Sequence, residues 1–229
     1  MTVISLSIRS YYLLSAALEF APKDSVKCFL NAVHIAPQGG AAHVVATDTS
    51  ALFIGRAEAA PSVVDTAGAP QPFEPVTIHR APLAAALKAV KTAVKNADTL
   101  EIEIDEDRRS GRLRVFNFRL DRTGSSAFSA PISLVDTKYV DYRRAIPTYT
   151  DPAAPIPVVS CKYLTAVTKA AAALRPARER ADLSAEIVNQ MQAVFALADD
   201  AAAIVMGIKL DDRRRRPSYE RTAAAIMAD

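Results

Sequence analysis

The chain has 229 residues, half of them hydrophobic, with 28 basic and 25 acidic side chains for a net charge of +3. A mean hydropathy near zero marks a soluble globular protein with a sizeable core and excludes a disordered one. The mild basicity does not by itself mark a nucleic-acid binder, because the placement of charge matters more than its total.

Tryptophan is absent and aromatics are few, so the core is expected from Val, Ile, Leu and Ala. Cys28 and Cys161 lie far apart with no CxxC spacing, which argues against a disulfide framework and for small buried thiols in a reducing compartment. The start, Met1 to Leu6, lacks a charged segment followed by a long apolar one, so no signal peptide is expected. No run approaches the roughly 18 apolar residues that span a bilayer, and the expected location is cytoplasmic, away from membranes.

Residues 3–8 alternate apolar and polar, as a half-buried strand does. Helical spacing follows from Arg9 to Ala21, with Leu14, Ala17, Leu18 and Ala21 on one face and Pro22 as its stop. A strand over Val26–Ile35, a turn at Pro37-Gln38-Gly39-Gly40 and strands on either side of Thr47–Ser50 complete a β-α-β-β-β unit. Residues 59–75 read as a connecting loop.

The pattern then restarts. Val76-Thr77-Ile78 predicts a short strand, and Pro82 sits where the first turn of a helix tolerates it. That helix is expected to reach about Asn96, with Leu83, Leu87, Val90 and Val94 as its apolar stripe. Strands over Leu100–Asp105, Leu113–Leu120 and Ser126–Leu134, with a turn at Ser110-Gly111, make a second unit. A third begins after the Pro-rich segment 148–157. It comprises a strand at Val158-Val159 and a helix striped by Leu164, Val167, Ala171 and Leu174 that Pro176 closes. An ambiguous stretch over Ala185–Ala198 and a strand over Ala203–Leu210 finish it. The chain thus reads as about three copies of one supersecondary unit, of α+β class, followed by an arginine-rich tail from Asp211.

No glycine-rich phosphate loop and no nucleophile elbow occurs. His34, His43 and His79 have no spaced cysteine or carboxylate partners that suggest zinc. Glu101, Glu103 and Asp105 share one face of a strand. Such a face can bridge two cations in a nuclease, but Ile102 and Ile104 facing a core with the carboxylates in water is the simpler reading. Nothing demands an enzyme or a cofactor.

The second helix carries Lys88, Lys91 and Lys95 opposite its apolar stripe, and the third carries Lys162 and Lys169 and runs into Arg175, Arg178 and Arg180. A single lysine face is ordinary for an amphipathic helix. Two such helices in repeated units, side by side, make a basic surface that tracks phosphates without reading bases.

Three segments carry a family resemblance: Val44–Phe53 with its Thr-Asp-Thr-Ser turn, Tyr139–Pro147 with its Asp-Tyr-Arg-Arg run, and Ala203–Leu210. Val26–Val33 adds a fourth, ending in Leu30-Asn31-Ala32. In order, these resemble signatures of the bacterial sliding clamp, the DNA polymerase III beta subunit. The resemblance implies a DNA-clamp fold in which paired units form domains, helices line a central hole and antiparallel sheets form the outside. Residues 1–150 look like the middle clamp domain, 151–210 like the second half of the last one, and 211–229 like an added tail.

The resemblance further implies a non-catalytic processivity factor with partners in double-stranded DNA and in peptides of polymerases and clamp loaders. Phosphate contacts would come from Arg9, Arg80, Lys88, Lys91, Lys95, Lys162, Lys169 and Arg175. The peptide pocket, carried over residue by residue, would draw on Leu30, Thr47, Thr49, Ser50, Leu52, Val140, Arg144, Ala145, Ile204, Met206, Gly207, Ile208 and Lys209. The family has Gly-His-Arg where this chain has Thr49, Ser50 and Ala51, and a proline where it has Gly207. Clamp rings hold roughly a dozen units, so three per chain imply a tetramer closed by edge strands pairing head to tail. Two alternatives stand beside this reading: a clamp-derived interaction protein that binds such peptides or a host clamp without encircling DNA, and a nuclease built on Glu101, Glu103 and Asp105.

Overall fold

A computed structural model describes residues 2–58, 63–64, 70–71, 73–116, 128–148, 153, 157–175, 183–189 and 191–207. The first unit is β1 (Thr2–Ser7), α1 (Arg9–Ala17), β2 (Ala32–Gln38), β3 (Ala41–Thr47) and β4 (Ala51–Glu58). A small ribbon of β5 (Val63–Val64) and β6 (Pro70–Gln71) lies in the connecting segment. The second unit is β7 (Val76–His79), α2 (Arg80–Val90), β8 (Thr99–Ile104), β9 (Ser110–Phe116) and β10 (Phe128–Ser133). The third supplies α3 (Cys161–Leu174), β11 (Ser184–Asn189), β12 (Gln192–Ala198) and β13 (Ala201–Met206).

The pairing rule is reciprocal exchange. The first strand of unit one leaves its own sheet and pairs antiparallel with β8, giving the order β1-β8-β9-β10. The first strand of unit two does the converse, pairing with β2. Unit three then adds its last strand to the edge of unit one, where Ile204 stands opposite Leu52. The result is a seven-stranded sheet, β11-β12-β13-β4-β3-β2-β7. All these pairings are antiparallel, and the chain is α+β.

One core lies between the helices and the inner faces of the sheets. Strand residues Ile4, Phe53, Ile78, Leu100, Ile102 and Leu113 meet helix residues Leu13, Leu14, Leu83 and Val167 there, all essentially inaccessible. The alternation in β8 is as expected: Leu100, Ile102 and Ile104 are buried and Glu101 and Glu103 face outward. The stripe Leu83, Leu87, Val90 and Val94 is wholly buried. The ambiguous stretch proves to be two strands, β11 and β12, paired antiparallel.

Several expectations change. Residues 157–160 are not a strand, although Val158 and Val159 favour one, because no neighbouring strand pairs with them among the described residues. Val26 is fully exposed, and the segment before β2 is a loop with a 3-10 turn at Cys28–Leu30; Asn31 ties it by bonding the backbone of Ser25 in both directions, at 2.9 and 3.1 Å. Helix α1 ends at Ala17, and α2 ends at Val90 with a 3-10 turn at Ala93–Asn96. Leu164 lies 40% exposed rather than in the stripe of α3. Cys161 is an exposed free thiol at the first position of α3, not a buried one. The turn before β9 lies ahead of Ser110 and includes Arg108 at positive φ. The loop and tail readings over most of 59–72 and over 208–229 lie outside the described residues, as do strand ends 117–120 and 126–127.

Two hairpin turns show opposite solutions to one problem. Between β2 and β3, Gly39 and Gly40 take φ of 54° and 78°, which glycine adopts without steric penalty. Between β3 and β4 the left-handed position, φ 78°, is occupied by β-branched Thr49. Side chains hold it there. The amides of Ser50 and Ala51 both donate to Asp48 Oδ1 at 3.0 Å, and the Thr49 amide donates to Thr47 Oγ1 at 3.0 Å. Thr49→Gly should therefore raise stability, by about 0.5–1 kcal/mol once glycine's extra unfolded-state entropy is set against the relieved strain. Chemical denaturation tests this, and a loss of stability would show that Thr49 is not strained.

Candidate interaction surfaces

The helices form one layer on the inner side of the sheets, with α1 between α2 and α3: α1 packs against α3 and touches α2. Side-by-side helices are what the lysine rows require, but the cations divide into two groups. Arg9 is committed to the protein. Its Nε and Nη2 donate to the two carboxylate oxygens of Asp200 at 2.8 Å each, and Nη1 donates to the Leu174 carbonyl. This fork clamps the start of α1 to the end of α3 and to the β12–β13 turn. Arg80 Nε donates to the Ala21 carbonyl at 3.0 Å, Arg175 reaches the Leu197 carbonyl at 3.4 Å, and Lys169 stands 3.8 Å from Glu19.

Lys162 donates to Asp48 Oδ2 at 3.0 Å, and Tyr163 Oη donates to the same oxygen at 2.9 Å. Burial disfavours the Asp48 anion, but Lys162, Tyr163 and the Ser50 and Ala51 amides outweigh it and hold the carboxyl below its usual range. The start of α3 is thus pinned to the β3–β4 turn. Lys88, Lys91 and Lys95, by contrast, are exposed and have no ion-pair partner among the described residues. Of the eight cations expected at phosphates, these three are the ones left available; the other five make intramolecular contacts.

The outer face of the seven-stranded sheet carries a second apolar cluster of Val45, Leu52, Tyr139, Tyr142 and Ile204, flanked by Ile54, Val140 and Val194. Strand register builds it, because Thr47, Leu52, Ile204 and Val194 fall in one row across β3, β4, β13 and β12. The segment 139–145 crosses over this face. The Tyr139 ring stacks on His34 at 4.6 Å and 5°, His34 Nδ1 bonds Thr77 Oγ1 at 2.9 Å, and Tyr142 Oη meets His43 Nδ1 at 3.2 Å.

Of the expected pocket residues, Leu52, Ile204 and Val140 belong to this cluster, with Thr47 beside them. Met206 is 40% exposed at the end of β13, and its amide donates to the Ser50 carbonyl at 2.8 Å. The Gly207 amide donates to the Met191 carbonyl at 2.6 Å. Arg144 is exposed beside Asp141 at 3.0 Å, and the exposed Ala145 accepts from Gln192 at 3.0 Å. Thr49 is exposed at the tip of its turn. Leu30 is buried in the 3-10 turn before β2, outside the cluster. Ile208 and Lys209 lie outside the described residues. Asp48, Tyr139, Tyr142, His34 and Val194 were not assigned to the site from sequence; the Thr-Asp-Thr-Ser turn contains the first and the Tyr139–Pro147 motif the next two, while His34 and Val194 come to this face only through register.

Two of the three carboxylates Glu101, Glu103 and Asp105 are tied to their own hairpin. Glu103 pairs with Arg114 at 3.0 Å, and Asp105 accepts from Ser110 at 2.8 Å. Among the described residues no group of three His, Cys, Asp or Glu could hold a metal ion, and no helix is long and apolar enough to cross a membrane.

Burial, reinforced by Arg143, lowers the His34 pKa from 6.5 to about 4. Between those values the unfolded chain binds a proton that the folded one refuses, so stability falls as pH falls through this window. Acidification from pH 7 to 4.5 should lower the melting temperature less in His34→Phe, which keeps a ring for Tyr139 but cannot titrate. An equal drop in both proteins would clear His34 of the effect.

No protein-family model matches the chain, and no curated protein does. Solved structures do. The DNA polymerase III beta subunit of Borrelia burgdorferi, solved with a natural product, superposes with TM-score 0.66 at 10% identity over 92% of this chain and 64% of its own. That of Pseudomonas aeruginosa gives 0.66 at 15% over 92% and 66%. The Bartonella birtlesii sliding clamp bound to griselimycin gives 0.64 at 14% over 91% and 66%. The chain spans just under two thirds of the length of these proteins. At such identities the likeness is one of architecture, and this chain has the fold of the DNA polymerase III beta sliding clamps.

Proposed function

We propose that this protein is a shortened sliding-clamp-like processivity factor. The observation that carries the reading is the division of labour between two faces: a helix layer inside with three lysines that make no ion pair among the described residues, and an apolar cluster crossed by the Asp-Tyr-Arg-Arg segment outside. The inner face would track duplex phosphates without reading sequence. The outer face would hold peptides of polymerases and clamp loaders, with Met206 and Val140 as apolar contacts and Arg144 at the rim. No bond is made or broken; a tethered polymerase simply experiences a raised local concentration of its template. In this reading residues 1–150 act as one clamp domain, 151–210 as half of another, four chains supply the dozen units of a ring, and the protein works in the cytoplasm.

A second reading, an interaction protein that binds clamp peptides or a host clamp without encircling DNA, is favoured by one specific observation. Five of the eight cations expected at phosphates are spent on intramolecular contacts.

Retention on nicked circular DNA, lost on linearisation, separates the two. Lys88→Glu, Lys91→Glu and Lys95→Glu together should abolish retention with little change in melting temperature, and should reduce the log–log salt slope of binding by about 2–3. Retention equal to wild type would remove α2 from the DNA-facing role, and no retention by wild type would favour the second reading. For the outer face, Met206→Asp should weaken binding of a short apolar polymerase peptide tenfold or more by fluorescence anisotropy. Unchanged affinity would place the peptide elsewhere.

A further inference from the structure

Units one and two complete each other by exchanging first strands, and unit three has no such companion among the described residues. It carries both halves of the missing exchange. Pro157–Ser160 occupies the position of a first strand: it runs into α3 with Ser160 at φ −65° and ψ 136°, nearly the −55° and 135° of His79 where β7 runs into α2. It also lies against the end of its own unit's last strand. Pro157 Cβ is 2.9 Å from where a Cβ of Gly207 would stand, just as β7 touches the end of β10 through the bridge from Ile78 to Leu134. What Pro157–Ser160 lacks is the second strand of a companion, which β2 provides for β7.

The opposite vacancy is at β11. By the same rule its free side should hold the first strand of a companion, as β2 holds β7 and β8 holds β1. Among the described residues β11 is the open end of the seven-stranded sheet, with Ser184, Ala185 and Glu186 exposed. Leu164 on α3 is exposed as well.

We infer that a second copy of this chain is the companion. Donor strand and acceptor edge sit on the same unit, so one two-fold operation fills both vacancies at once, which is the self-complementarity of an isologous interface. Residues 157–160 of each copy add antiparallel to β11 of the other, by backbone hydrogen bonding along an otherwise open edge. The β7–β2 register, in which His79 faces Ala32, carries over as Ser160 facing Ser184 and Val158 facing Glu186. Two half-domains thereby make one whole domain, flanked on each side by the two-unit domain of one chain. This interface rests on the repeat geometry and stands independently of the DNA reading. It is two-fold, where head-to-tail closure would require a different contact at this edge.

The test is hydrogen exchange together with solution mass, across a dilution series of the full chain. The inference expects a dimer whose amides at 158–160 and 184–187 lose protection together as it dissociates. Val159→Pro, which removes the donor that faces the partner strand in this register, as Arg80 faces Asn31 and Thr77 faces away toward Val135, should weaken dimerisation at least tenfold, about 1.4 kcal/mol. Val158→Cys with Glu186→Cys, in a Cys28→Ser, Cys161→Ser background, should give a covalent dimer on oxidation. A monomer at every concentration overturns the inference. So does protection of β11 that persists in the monomer, which would mean that the chain covers its own edge, or a dimer indifferent to Val159→Pro. A dimer with these properties that is not retained on circular DNA would refute the processivity reading alone.

Discussion

The constraint behind this structure is that a strand edge needs a neighbour. A β-α-β-β-β unit is unable to satisfy its own second strand, because its first strand is carried away by the helix that follows it. Pairing β1 with β8 and β7 with β2 solves the problem for two units at once and locks them into one body with a common core. Pairing β13 with β4 extends the same sheet into the third unit. The side chains then fasten what the ladders have arranged. Arg9 joins α1, α3 and the β12–β13 turn through Asp200, and Asp48 joins the β3–β4 turn to the start of α3 through Lys162 and Tyr163.

Sidedness follows from the period of two. Because alternate residues of β3, β4 and β13 face opposite ways, Phe53, Val44 and Val205 enter the core under the helices while Leu52, Val45 and Ile204 emerge on the far side. Those outward residues would form an exposed apolar patch without the segment 139–145, whose two tyrosines cover part of it and lean on His34 and His43. An adaptable apolar surface edged by Met206 and Arg144 is left beside that cover. The inner side has the opposite chemistry. Its cations serve partly as internal fasteners, and of the eight expected at phosphates only Lys88, Lys91 and Lys95, on α2 and the turn that follows it, keep clear of ion pairs among the described residues.

Much of the fold was legible in sequence because its signals are local. The period-two alternation of Leu100–Asp105, the helical stripe of Leu83 to Val94 and the diglycine at 39–40 each report on their own backbone. The failures are equally instructive. Val158 and Val159 have high strand propensity, yet propensity without a partner does not make a strand. Leu164 fits a helical stripe, yet a stripe is buried only where something packs on it. Thr49 occupies a conformation its side chain disfavours, held by Asp48 and Thr47, which no propensity scale would predict.

The sequence alone determined most of the element types, the recurrence of their order along the chain and the motif segments that set this chain beside the sliding clamps. Each of these is written in spacing or in a short run of letters. Only the tertiary structure decided which strands exchange, which cations are consumed in internal contacts, and that Tyr139, Tyr142, Val45 and Val194 join Leu52 and Ile204 on one outer surface. Those outcomes depend on contacts between residues as many as 191 positions apart, as in Arg9 with Asp200, and local pattern carries no information at that range.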